Sequence, residues 1–187
     1  MDHHFLTPLF APKSIVVFAG HPEHLEEAPS LTRTMLAELR AGGFGGSLNF
    51  LDVDMTGTLS DLAHSRADLA IIALPHERVA AAVEIAGRIR CRAALVLSTG
   101  LPSSQCRELH DIARRHGMHL LGPNSLGFQR PLLKLNASAT GPMAATGPLA
   151  LVSQSGALTS SMLDWARQNG VASTITSGEG AVSSKER

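Results

Sequence analysis

The feature that most constrains the fold is an alternation of short apolar runs with segments of helical periodicity. Apolar runs occupy residues 14–20, 47–51, 67–75 and 92–100, and a fifth, shorter run begins at Met118. The run "SIVVFAG" is continuous in its apolar residues, as in strands that are covered on both faces. Segments with apolar residues at helical spacing lie between most of these runs. We therefore predict a β-strand at each run and helices between them.

Strands that alternate with helices pair in parallel, because a parallel connection needs a crossover. Such crossovers are almost always right-handed. The sequence therefore predicts an α/β fold, with a Rossmann-like open parallel sheet and helices on both faces. Ligands bind sheets of this kind at the carboxyl ends of the strands. This rule selects the loops that follow residues 18, 51, 74, 97 and 121.

Beyond the fifth predicted strand the pattern becomes irregular. Residues 122–147 contain several Pro and Gly and show no clear period, so we expect an irregular crossover and linker. One more β-α-β unit is predicted over residues 149–176, with its helix at about 155–168. One face of that helix is apolar and is expected to anchor it in a core: Leu158, Met162, Trp165 and Ala166.

A single β-α-β unit cannot bury both faces of a sheet. It either extends the first sheet or begins a second domain, and we favour the second domain. Residues 1–146 then form the Rossmann-like domain with its linker, and residues 147–187 are the truncated amino-terminal piece of the second domain. The apolar surface that this piece leaves uncovered predicts a dimer or larger assembly.

Composition disfavours several classes of protein. The 16 basic and 16 acidic side chains balance, so nothing supports nucleic-acid binding. No apolar run approaches the roughly 20 residues of a membrane span, and the start lacks a signal-peptide pattern. The histidines have no zinc spacing, so no metal is expected. Cys91 and Cys106 form no C-x-x-C pair, and we expect reduced thiols in a cytoplasmic protein.

The segment Ser153–Ala157, "SQSGA", joins a predicted strand to a predicted helix and carries little side chain. The first N–H groups of a helix have no internal partner, and the helix dipole favours negative charge there. Gly156 would let an anion approach the backbone closely. This layout suits phosphate, although Ser155 could simply cap the helix. A serine hydrolase with Ser155 as nucleophile is disfavoured, because the elbow glycine is missing and no histidine follows.

Other loops at the predicted ligand edge are also rich in small residues. "LSTGLPSS" follows the fourth strand and "LGPNSLGF" follows the fifth. The loop after the first strand lacks the G-x-G-x-x-G pattern, which disfavours a nicotinamide enzyme. Together these loops are expected to line one crevice.

The motifs "LFAPKSI", "HGMHLLGPNSLGF", "LNAS" and "GPLALVSQSGALTSSMLDWA" occur in this order. They resemble the amino-terminal part of NDP-forming acyl-CoA synthetases, relatives of the succinyl-CoA synthetase α subunit. The resemblance covers about residues 8–177. The same module also occurs in protein lysine acetyltransferases that fuse it to a GNAT domain.

The resemblance implies a CoA-binding Rossmann-like domain followed by a flavodoxin-like ligase domain. The ligand would be CoA or acyl-CoA, with ATP or ADP bound only by domains that this chain lacks. The implied CoA-binding residues are Ala19, Gly20, His21, Pro22, Leu74, Pro75, Ser98, Thr99 and Gly100. Gly122, Pro123 and Asn124 would lie near the reacting thioester, and the implied phosphate-binding residues are Ser153, Gln154, Ser155 and Gly156.

Two loops depart from the family pattern. The loop after the first strand carries Glu23, Glu26 and Glu27 in place of small residues. After the second strand, Asp52 and Asp54 stand where the family has a lysine that faces a CoA phosphate. Carboxylates in place of a cation are expected to weaken CoA binding, because charge-assisted phosphate contacts are the strong ones.

Three functions follow from this resemblance. The first is the CoA-binding portion of an acid–thiol ligase, with no catalytic residue of its own, in contact with further ligase domains or with a second copy. The second is a regulatory module of a protein acetyltransferase that senses acyl-CoA. The third is a degenerate family member without CoA binding.

Overall fold

The structure is a computed structural model that describes residues 4–20, 28–54, 66–171 and 173–177. Its first sheet has five parallel strands in the order β2-β1-β3-β4-β5. The predicted Rossmann-like sheet is therefore confirmed, and the strand order reverses between β1 and β3. The strands are β1 (Ser14–Phe18), β2 (Ser47–Phe50), β3 (Leu69–Ile72), β4 (Ala93–Val96) and β5 (His119–Leu121).

Helices cover both faces of this sheet: α1 (Thr7–Phe10), α2 (Ser30–Ala41), α3 (His76–Arg88) and α4 (Ser103–Arg115). On one face, Val79 and Val83 of α3 and Leu109 of α4 pack against the sheet. On the other face, Met35 and Leu39 of α2 do so. Every residue of β3 and β4 is buried, which explains why their sequences are continuously apolar. None of the described helices has the length and hydropathy needed to cross a membrane.

The prediction of an irregular linker is wrong for residues 127–138. Two antiparallel strands, β6 (Gly127–Arg130) and β7 (Leu135–Ser138), form a hairpin through a 3₁₀ turn at Pro131–Leu133. Phe128, Leu135 and Ala137 belong to the same core cluster as α2. Strands of four residues are too short to show a clear sequence period. The proline of the turn between them is also typical of irregular segments, so the sequence did not indicate that β6 pairs with β7.

The predicted β-α-β unit consists of β8 (Leu149–Ser153), α5 (Gly156–Gln168) and β9 (Ser173–Ser177). The strands β8 and β9 are parallel, and β9 is antiparallel to β6. A second sheet results, in the order β7-β6-β9-β8. Among the described strands, neither β8 nor β9 pairs with the first sheet, so this unit does not extend it.

The face of α5 that was predicted to lie in a core is mostly exposed. Leu158, Met162 and Trp165 are 50 %, 43 % and 59 % exposed, and only Ala166 of the predicted set is buried. The buried face carries Leu163, which packs near Leu151 and Ala144, together with Thr159. The exposed stripe and the buried stripe are neighbours on this helix, and both have helical spacing. Helical spacing alone therefore does not show which of the two is buried.

Candidate functional site

A cavity of about 240 Å³ lies where the two sheets meet. Three loops line it: one after β4, one after β5, and one at the start of α5. Thr99, Asn124 and Gly156 were predicted from the sequence, and the structure brings them together here. The full lining is Thr99, Asn124, Ser125, Leu126, Gly156 and Ala157.

The loop after β5 is fixed by its backbone. Gly122 has a φ of +95°, and a Cβ at this position would lie 2.2 Å from the carbonyl oxygen of Val96. Only glycine fits such a close approach. The amide of Asn124 donates to the carbonyl of Ser98 at 2.9 Å. These contacts hold the exposed Asn124 at the cavity, beside the loop after β4.

The loop after β4 contains one inward and one outward hydroxyl. The Ser98 hydroxyl donates to the carbonyl of Leu74 at 2.6 Å and accepts from the Leu74 amide at 3.1 Å. Ser98 is buried, whereas Thr99 and Gly100 are exposed. Ser98 therefore joins the ends of β3 and β4, and the exposed Thr99 lines the cavity.

The start of α5 forms the opposite wall. The Ser155 hydroxyl caps the helix by accepting from the Leu158 amide at 3.3 Å. The Ser153 hydroxyl accepts from the Ser155 amide at 3.0 Å. The amides of Gly156 and Ala157 belong to the first turn, where N–H groups have no acceptor within the helix. Their position at the cavity gives it a positive potential that suits an anion.

Gly156 also brings this wall close to the loop after β5. A Cβ on Gly156 would lie 2.4 Å from Cδ1 of Leu126. The missing side chain therefore lets the helix start pack directly on Leu126. The small residue predicted to serve anion binding has a packing role as well.

Other predicted residues lie outside the cavity, at the ends of β1 and β3. Ala19 and Leu74 are buried, Pro75 is the exposed N-cap of α3, and Gly20 has a φ of +91°. They lie where the strand order reverses, which is the position of nucleotide sites in doubly wound sheets. The predictions for His21, Pro22, Glu23, Glu26 and Glu27 fall outside the described residues.

The acidic pair after β2 is already paired with a cation. Nη2 of Arg78 lies 3.1 Å from Oδ1 of Asp52 and 2.5 Å from Oδ2 of Asp54. These carboxylates are thus partly neutralised by α3. The sequence reasoning missed Arg78, because its contact with the residues that follow β2 depends on the strand order and not on a local motif.

The cysteines are free thiols, as predicted. Burial raises the pKa of Cys91 to about 12, so this thiol is not a nucleophile at neutral pH. Within the part of the chain that the structure describes, no group of His, Cys, Asp or Glu could hold a metal ion.

Comparison with known proteins identifies the domain that residues 49–131 belong to. Residues 49–131 match the family described as "CoA binding domain". This region is a CoA binding domain. Over 176 residues the chain is 31 % identical to acetate–CoA ligase (ADP-forming) I of Archaeoglobus fulgidus, covering 87 % of this chain and 25 % of that protein. It is 34 % identical over 104 residues to the α subunit of acetate–CoA ligase (ADP-forming) I of Pyrococcus furiosus, covering 52 % and 22 %.

A solved structure shares the fold of this CoA binding domain and its second sheet. Dinucleotide forming acetyl-coenzyme A synthetase 1 of Ca. Korarchaeum cryptofilum, in complex with phosphate and ADP, superimposes with a TM-score of 0.80 at 24 % identity. The match covers 92 % of this chain and 39 % of that one. The chain spans about a quarter of the length of the two curated relatives. It is homologous to the CoA-binding region of ADP-forming acyl-CoA synthetases, so the resemblance is confirmed.

Proposed function

We propose that this chain is the CoA- or acyl-CoA-binding portion of an ADP-forming acyl-CoA synthetase, an acid–thiol ligase, and that it does not turn over alone. The observation that carries the proposal is the shared cavity of the loops after β4 and β5 and the start of α5. It combines a hydroxyl, an amide side chain and helix-start N–H groups in a chain that contains a CoA binding domain.

Each part of the site would have its own task. Ala19, Gly20, Leu74 and Pro75, at the ends of β1 and β3, would contact the nucleotide part of CoA. Thr99 and Asn124 would orient the thioester through their hydroxyl and amide groups. The amides of Gly156 and Ala157 would bind the phosphate of an acyl phosphate or phosphohistidine, because first-turn amides are unpaired donors.

A titration with CoA tests this proposal. A ligand that binds only the native state stabilises it by about 2.7 kcal/mol at a hundredfold excess over Kd, so CoA should raise the melting temperature. Asn124→Gly removes the side-chain amide and keeps a residue that tolerates the φ of +62°, and it should weaken this shift.

The matched control is Asn169→Gly. Asn169 is the C-cap of α5, at the end of the helix remote from the cavity, so the CoA-induced shift should persist in this variant. A folded wild-type chain whose melting temperature does not change at millimolar CoA would contradict the proposal.

We further propose that residues 147–187 belong to a second, ligase-type domain and that α5 contacts another polypeptide surface. Leu158, Met162 and Trp165 form an exposed apolar stripe on α5. Apolar side chains clustered on one exposed face are typical of interaction sites. The occupant would be a second copy of the chain or a further ligase domain, and the two free thiols agree with a cytoplasmic location.

A further inference from the structure

The edge of the first sheet where CoA is proposed to bind has few positive charges. Among the described helices that begin there, two carry a cation in the first turn, Arg33 in α2 and Arg78 in α3. CoA has a pyrophosphate and a ribose 3′-phosphate, and charge-assisted hydrogen bonds hold such groups most strongly. A cation at this edge is thus a candidate ligand of the coenzyme. Lys and Arg are absent from the described loop residues at this edge, which are 19–20, 28–29, 51–54, 73–75, 97–102 and 122–126.

Arg78 is held at the end of β2 by two unequal partners. The Asp52 side chain is 7 % exposed, and its Oδ1 also accepts from the Asp54 amide at 3.0 Å. The Asp54 side chain is 77 % exposed. Asp52 is therefore a fixed partner of the guanidinium, whereas the exposed pair with Asp54 is of the kind that contributes little.

We propose that Arg78 binds the ribose 3′-phosphate of CoA, with Asp52 as a positioning residue and Asp54 as a partner that the phosphate replaces. The inference rests on the proposed function of the chain as a CoA-binding unit. In doubly wound α/β folds the nucleotide crosses the sheet edge where the strand order reverses. There an acidic residue hydrogen-bonds a free ribose hydroxyl, whereas a nearby arginine accommodates a ribose phosphate. Arg78 lies at the end of β2 and is held there by Asp52, so it is placed as the second kind of residue.

The exchange of partners is chemically favourable. Both carboxylates contact the same nitrogen, Nη2, and a guanidinium offers several N–H donors in a planar fork. A phosphate accepts two parallel hydrogen bonds from such a fork, and this bidentate interaction is stronger than the single contact of Arg78 with Asp54. Arg78 can therefore keep Asp52 while a phosphate replaces Asp54.

Isothermal titration of the 187-residue chain with CoA and with 3′-dephospho-CoA tests the inference. Arg78→Gln should lower the affinity for CoA by about tenfold or more and leave that for dephospho-CoA within about twofold. Arg78→Lys should restore part of the loss. Asp54→Asn should raise the affinity for CoA by about two- to fivefold, because the competing carboxylate is gone.

Arg88→Gln is the matched control. It removes an arginine from the same helix, where Arg88 pairs with Glu84 at 3.3 Å, and should bind both ligands as the wild type does. If a folded Arg78→Gln variant binds CoA within about twofold of the wild type, or loses both ligands equally, the role of Arg78 is refuted and the proposed function stands. A wild-type chain that binds neither ligand refutes both.

Discussion

The side-chain oxygen of Gln129 accepts a hydrogen bond from the Ala144 amide at 2.9 Å. Gln129 is fully buried in β6, and its Nε2 donates to the carbonyls of Gly141 at 3.2 Å and Pro142 at 3.3 Å. A buried amide is stable only when it is hydrogen-bonded, and here its partners are these backbone groups and the hydroxyls of Ser138 and Thr140. Gln129 therefore fixes the connection between β7 and β8, which has no regular structure of its own.

Replacing Gln129 by Leu should lower the free energy of unfolding by about 1–3 kcal/mol, because the buried Ala144 amide loses its acceptor. Urea unfolding followed by circular dichroism measures this change. Gln154→Leu, at an exposed position, is the control and should stay within about 0.5 kcal/mol of the wild type. Equal stability of the two variants would refute a stabilising role for Gln129.

Substitutions at Ser98 and Thr99 should have different effects, one on the free energy of unfolding and the other on the affinity for CoA. Ser98→Ala leaves the Leu74 amide and carbonyl without the hydroxyl, and should cost about 1–3 kcal/mol of unfolding free energy. Thr99→Val should leave stability within about 0.5 kcal/mol and lower the affinity for CoA. Chemical unfolding and CoA titration of both variants measure the two effects. Normal stability with weakened CoA binding in Ser98→Ala would mean that its hydroxyl faces the ligand.

Glu84 should make the packing of α3 on α4 depend on pH. Its carboxylate pairs with His116 at 3.1 Å, Arg115 at 3.2 Å and Arg88 at 3.3 Å. Burial acts to raise the pKa of Glu84, but the hydrogen bonds from His116, Arg88 and Arg115 outweigh it, and the pKa lies below its ordinary value of 4.5.

A carboxyl whose folded pKa is depressed stabilises the fold above its unfolded pKa, and this contribution disappears as pH falls through the folded pKa. Glu84→Gln should therefore be less stable than the wild type at neutral pH, by up to about 1 kcal/mol, and the gap should close below about pH 4.5. Urea midpoints from pH 7 to pH 3 measure it, with the exposed Glu108→Gln as control. A gap that persists unchanged at pH 3 would contradict this assignment.

Trp165 should report on association, because it is the single tryptophan of the chain and lies on the exposed stripe of α5. If a second copy covers the stripe, acrylamide quenching of its fluorescence should fall as protein concentration rises. Met162→Lys should shift the chain toward monomer in sedimentation, whereas Gln168→Lys, exposed on the same helix, should not. A monomeric wild type at all concentrations would contradict self-association and leave a further ligase domain as the occupant.

The sequence predicted the first sheet well, because burial on both faces leaves a direct trace in continuously apolar runs. It also located Thr99, Asn124 and Gly156, since the carboxyl ends of parallel strands meet at one edge. What it missed depends on contacts between distant segments. The pairing of β9 with β6 and the choice between two stripes on α5 are set by packing and not by local periodicity.

Contacts between distant segments also explain why the sequence did not predict the partners of Ser98 and Arg78. The Ser98 hydroxyl points inward because the end of β3 lies beside it, and β3 pairs with β4 only in the folded sheet. Arg78 reaches Asp52 from 26 positions away in the sequence. Neither contact follows from a motif. The sequence pattern therefore located the loops, but it did not show which of their polar atoms already have a partner within the protein.

The close packing of Gly156 on Leu126 has a mechanical consequence. Leu126 leads into β6, whereas Gly156 follows β8, an edge strand of the second sheet. Any tilt of α5 would change the separation of these two residues, and with it the width of the cavity. A ligand that contacts both walls would limit such a tilt, and its binding would then affect the outer surface of the helix and any partner bound there.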